Sequence, residues 1–125
     1  MSPLTAVSEL MTRNASSPDE TRTPALTRSE VVTVGGYTLA RMTLEPGWRW
    51  SECIKPVAGT DTCQLSHVGY MISGRLSVST PQGTVEIGPG DFYSIPPGHD
   101  AHVVGDQQAV GIELVSAAEF AKPTT

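Results

Sequence analysis

The sequence predicts an all-β fold, a small sandwich or barrel of short antiparallel strands. Glycine occurs 12 times and proline 10 times in 125 residues, against 2 Trp, 3 Tyr and 2 Phe, the composition of a turn-rich chain. From Ser29 onward, short β-branched runs alternate with turn residues at a regular spacing, and no long stretch keeps a helical period. The length suits one hydrophobic core and is too short for two. We therefore expect an N-terminal arm over residues 1–28, a barrel over 29–120 and a tail over 121–125.

The elements follow in order. Ser2 can cap a short helix with Pro3 at its first position, and Leu4, Val7, Leu10 and Met11 then share one face. Such an arm packs on the domain or on a partner subunit. Gly35-Gly36 joins Glu30–Val34 to Tyr37–Leu44 as a hairpin. Pro46-Gly47 turns the chain into a strand over Trp48–Ile54, whose alternation puts Trp48, Trp50 and Glu52 on one face and Arg49, Ser51 and Cys53 on the other. Residues 56–60 read as a loop. Strands follow at Cys63–Ile72, Arg75–Thr80 and Thr84–Ile87, the last two joined through Pro81-Gln82-Gly83. Asp91–Ile95 is ended by Pro96-Pro97-Gly98, His102–Val104 is short, and Gln108–Val115 is an apolar closing strand. Ser116 and Glu119 have capping-box spacing, which predicts a short C-terminal helix broken by Pro123.

Charge and hydropathy exclude whole classes of function. Eight Lys and Arg stand against 13 Asp and Glu, a net charge of −5 with no basic cluster, so no nucleic-acid surface is expected. The longest apolar stretches, such as Ala109–Val115, fall far short of the roughly 20 residues of a membrane span. Residues 1–22 lack a basic segment followed by an apolar one, so the expected compartment is the cytoplasm. Cys53 and Cys63 are then reduced thiols and not a disulfide.

The stretch from Pro46 to about Leu114 resembles the cupin superfamily. His67-Val-Gly-Tyr-Met-Ile-Ser-Gly74 looks like the end of the first cupin motif, and Gly90-Asp-Phe-Tyr-Ser-Ile-Pro96-Pro-Gly98 like the start of the second. The resemblance implies a jelly-roll β-barrel, usually paired as a homodimer, with a small-molecule site inside. Within the superfamily, Pro46-Gly-Trp-Arg-Trp-Ser-Glu52, Lys55-Pro56, Gly59-Thr-Asp61, Cys63, His67 to Tyr70 and His99-Asp100 are similar to small bacterial cupins found alone or joined to nucleotide-cyclase modules. Metal-binding cupins carry a His pair, an acidic residue and a third His. Here the acidic position holds His67, the pair positions hold Cys53 and Lys55 in one register or Asp61 and Cys63 in the other, and the third His position is Ala101, flanked by His99 and His102. The resemblance therefore does not by itself imply a metal.

The residues suggest their own site. Cys63 and His67 are four apart, and on an extended strand they point to one face. With His99 or His102 as third ligand they suit zinc, with iron or nickel as less exclusive choices; a buried cysteine that merely fills space is the plainer alternative. His99 is a ligand or general base, or a solvated loop residue. Trp48 and Trp50 can stack on a planar substrate with Glu52 as base, or form a core layer. Lys55 can bind an anion or form a Schiff base, or end a strand in solvent. Tyr70 reads as packing, and Arg75 and Asp91 as solvated turn residues. Three functions compete: a metal-dependent isomerase, lyase, cyclase or dioxygenase; a non-catalytic ligand-binding or sensing module; and a metal-free acid/base enzyme using His67 or His99.

Overall fold

The computed structural model describes residues 6–118 and 120–122. Its strands are β1 (Glu20–Arg22), β2 (Thr27–Val34), β3 (Tyr37–Leu44), β4 (His67–Ser73), β5 (Leu76–Thr80), β6 (Gly83–Ile87), β7 (Phe92–Ile95), β8 (Asp100–Val103) and β9 (Ala109–Val115). They form a six-stranded sheet in the order β1-β2-β3-β9-β4-β7 and a three-stranded sheet in the order β6-β5-β8. Every pairing is antiparallel. The expected all-β jelly roll is therefore present, and the β2–β3 hairpin turns at Gly35-Gly36, both at positive φ, as that dipeptide predicts.

Alternation assigns each strand an inner and an outer face. Met42 and Leu44 from β3, Met71 from β4, Leu76 and Val78 from β5 and Val103 from β8 point inward and are buried with Trp48 and Trp50. Full burial of each such side chain is worth about 1.5–3 kcal/mol. The Trp48 indole N–H donates to Thr27 Oγ1 at 2.9 Å, so the polar end of the ring is satisfied inside this core.

Four expectations are corrected. The Trp48–Ile54 strand is instead a one-residue bridge at Arg49, opposite His102, followed by the helical turns α1 (Trp50–Cys53) and α2 (Lys55–Ala58). Trp50, Cys53 and Ile54 are the buried positions, a helical 3-and-4 spacing that the Trp-x-Trp alternation masked. Pro56 lies in the first turn of α2 and Gly59 caps it in the left-handed region, so the predicted loop is a helical turn with its stop signal. The strand expected from Cys63 starts only at His67, and the N-terminal helix does not form over residues 6–11; its first residues, Ser2 to Leu4, lie outside the described ones. Instead the predicted arm contributes β1, which pairs with β2 at the edge of the larger sheet.

The C-terminal segment also departs from its expectation. After β9 the described residues form turns, with Phe120 N–H donating to Ser116 O at 2.8 Å, while Glu119 and Pro123 lie outside the described residues. Ser116 and Ala121 stand at φ 83° and 61°, which only the surrounding contacts can hold. Arg22 supplies them. Its buried guanidinium pairs with Glu20 and donates to Ala117 O at 3.1 Å and Phe120 O at 2.9 Å. Arg22→Ala leaves two carbonyls without this donor and should lower stability by about 2 kcal/mol; an unchanged urea midpoint would show that the clamp does not hold the segment.

Candidate functional site

The site is built where β4, β9 and the loop before β8 converge on the barrel interior. His67 begins β4 facing inward, and the backbone of Cys63 is bridged to that of His99, with Cys63 N–H donating to His99 O at 2.9 Å and Gly98 N–H to Cys63 O at 2.7 Å. Extended chain would separate Cys63 and His67 by about 13 Å, too far for their side chains to meet. The irregular residues 64–66 shorten that path, and Cys63 Sγ lies 3.4 Å from His67 Nε2. Cys63, His67 and His99 are all buried, with one ligand atom from each within 4.8 Å of the others.

Each imidazole is oriented from behind. His99 Nδ1 must carry its proton, because it lies 2.7 Å from the carbonyl oxygen of Pro96, and Nε2 is left with its lone pair. His67 Nδ1 donates to Glu113 Oε1 at 2.6 Å, which turns Nε2 toward the thiol. Glu113 is fully buried on β9, and such a charge requires partners. They are His67, the Ser116 hydroxyl donating at 2.8 Å and the Tyr93 hydroxyl donating to Oε2. Space for this pair comes from Gly69. A Cβ there would stand 2.6 Å from both Glu113 Oε2 and Tyr93 Oη, and 2.4 Å from Ile112 O.

The electrostatics follow from these contacts. Burial disfavours the Cys63 thiolate, but hydrogen bonds from the His67 ring and the Leu65 backbone outweigh it and bring the thiol down to about 6. Burial likewise disfavours the His67 imidazolium, but Cys63 and Glu113 raise His67 to about 9. Tyr93 is raised by burial and then by the Glu113 charge, so it stays a hydrogen-bond donor. In metal-free protein the thiolate absorbance near 240 nm should therefore grow in as pH rises through about 6, and Cys63→Ser should remove that step. A midpoint at the ordinary thiol value of 9.0 would mean that His67 does not stabilise the thiolate.

The sequence-predicted residues divide cleanly. Cys63, His67 and His99 come together, and Trp48 and Trp50 line the small cavity of about 30 Å³ beside the two histidines. Glu52 is exposed on α1, so it is not brought to the cluster as a base. Lys55 turns to Asp61 Oδ1 at 3.4 Å, at the protein surface. The alternation that put Glu52 with the tryptophans fails because this segment is helical. His102 is half-buried and its register partner is Ser77, whereas its neighbour Ala101 points inward and lines the cavity. Of the two cysteine registers, Cys63 is in the site; Cys53 belongs to the core, and both are free thiols. Tyr70 packs on Phe92 at 4.6 Å between ring centroids.

Glu113, Tyr93, Ser116 and Gly69 are the residues sequence reasoning missed. A signal existed for one of them. Glu113 shares strand parity with Ala109 and Gly111, both buried, so a carboxylate stood at a core position of an otherwise apolar strand.

Solved structures share this architecture. A protein of unknown function from Rhizobium leguminosarum bv. viciae is 23% identical with a TM-score of 0.63, over 86% of this chain and 97% of that one. A cupin-superfamily sugar phosphate isomerase from Silicibacter pomeroyi is 17% identical with a TM-score of 0.53, over 75% and 68%. The EutQ protein of Clostridium difficile is 16% identical with a TM-score of 0.53, over 76% and 65%. No protein-family model and no curated protein matches the sequence. The chain has the cupin fold. Among the described residues no helix is long and apolar enough to cross a membrane.

Proposed function

We propose that this small cupin barrel holds one divalent transition metal on Cys63, His67 and His99 and acts on a small molecule there. The observation that carries the reading is the convergence of three buried donor atoms within 4.8 Å, two of them imidazoles oriented by a carboxylate and a carbonyl. In a tetrahedral zinc site, a sulfur and a nitrogen ligand stand about 3.6 Å apart. The 3.4 Å between Cys63 Sγ and His67 Nε2 fits that spacing. One thiolate and two imidazoles is a zinc-type donor set, compatible with iron or nickel as well.

Three protein ligands leave one coordination position free, and a metal held there supplies a Lewis acid. The chain's own residues do the rest. Glu113 accepts the hydrogen bond from His67 Nδ1–H and keeps the ring in the tautomer that presents Nε2. Pro96 O does the same for His99. Trp48, Trp50 and Phe120 wall the cavity and exclude bulk water. The test is elemental analysis of protein purified without added metal and again after zinc reconstitution. About one equivalent per chain supports the centre, and none after reconstitution overturns it.

A second reading is favoured by the order Cys63, His67, Glu113, which places a thiol, a base and an orienting carboxylate in hydrogen-bonded sequence. That is the arrangement of an activated nucleophile. In this case the protein works without metal, and iodoacetamide modifies Cys63 at pH 7 faster than Cys53. A metal-loaded site protects Cys63 instead.

A further inference from the structure

Beside the barrel interior lies a second cavity of about 360 Å³, between α1, α2 and the C-terminal turns, with Cys63 on its wall. The interior cavity at about 30 Å³ has room for an ion and a water but for no organic molecule. The outer one falls in the range of small-ligand pockets. Trp50 and Phe120 line both, so they form the partition between them, and Phe120 also packs edge-on against His67 at 5.8 Å between centroids.

We infer that the outer cavity is the substrate pocket of this protein and that it takes a small aromatic or short aliphatic carboxylate. Ile54, Val57, Ala58 and Leu65 give it apolar walls. Lys122 is the one charged side chain on its lining among the described residues, and no carboxylate shares it, in a protein whose net charge is −5. Trp50 is 2% exposed and closes the inner side of this cavity as part of the wall shared with the barrel interior. An apolar body with one anionic end fits these groups. The inference rests on the proposed metal centre only for what happens after binding.

The test uses the full chain, metal-loaded and chelator-treated, with 3-phenylpropanoate and its neutral amide as probes. Quenching of the 2 tryptophans and titration calorimetry read the binding. The acid should bind both forms, and the amide should bind about tenfold or more weakly. Lys122→Gln, an exposed position, should weaken the acid about fivefold and leave the amide unchanged, while Ala58→Phe should abolish both by filling the cavity. Failure of the acid to bind wild type overturns the inference, as does wild-type affinity in Ala58→Phe. Equal affinity for acid and amide overturns the carboxylate class. Metal content measured on the same samples reads the metal centre separately: a protein that holds no metal yet binds the acid refutes the centre and supports the pocket.

Discussion

His99→Ala is expected to lower metal affinity by about 100-fold or more, because loss of a residue that only orients a ligand already costs about 10–100-fold. Cys63→Ala and His67→Ala should do the same, since each removes one of the three donors that converge within 4.8 Å. Glu113→Gln keeps the ligands but replaces the acceptor of the His67 Nδ1 proton, so the loss should stay within about 10–100-fold. The graded order is the informative outcome. Cys53→Ala, at the end of α1 and in the core, should retain the metal at the wild-type ratio. Equal retention in the Cys53 and Cys63 variants would remove Cys63 from the site, and His102→Ala, a position outside the cluster, should resemble wild type.

Gly69→Ala is expected to have the largest effect on stability. The added methyl meets Ile112 O at 2.4 Å on the paired strand, and backbone cannot swing away as a flexible side chain would. It also meets Glu113 Oε2 and Tyr93 Oη at 2.6 Å, so relaxation must break the carboxylate's hydrogen bonds or spread β4 from β9. Overpacking of this kind costs about 3 kcal/mol, or roughly 10 °C in Tm for a domain of this length. Val68→Ala, next door on the outer face and 40% exposed, should cost less than about 1 kcal/mol. Thermal unfolding of the two variants decides the matter. If both melt alike, the strands separate there at little cost and Gly69 is not what admits Glu113.

Both predictions turn on residues that the sequence showed unequally. His67, His99 and Cys63 were legible because imidazoles and thiols are few and their neighbours, Gly74 and Pro96-Pro97-Gly98, mark strand ends. The partner that orients His67 was not, because Glu113 lies 46 residues away and meets it only through the pairing of β4 with β9. Ser116 was read as a helix cap, whereas at φ 83° its hydroxyl turns back to Glu113.

The sequence by itself determined the all-β class, the β2–β3 hairpin and most strand positions from β4 onward. Those features follow from turn residues and a period-2 pattern, both local properties of the chain. Tertiary structure alone decided that Trp50 begins a helical turn, since a Trp-x-Trp pair is apolar at either period and only burial of Cys53 and Ile54 selects the helix. It also decided that Cys63 meets His67 and that His99, not His102, faces them. Those choices depend on the irregular path of residues 64–66 and on which parity β8 presents to the barrel, and strand packing fixes both.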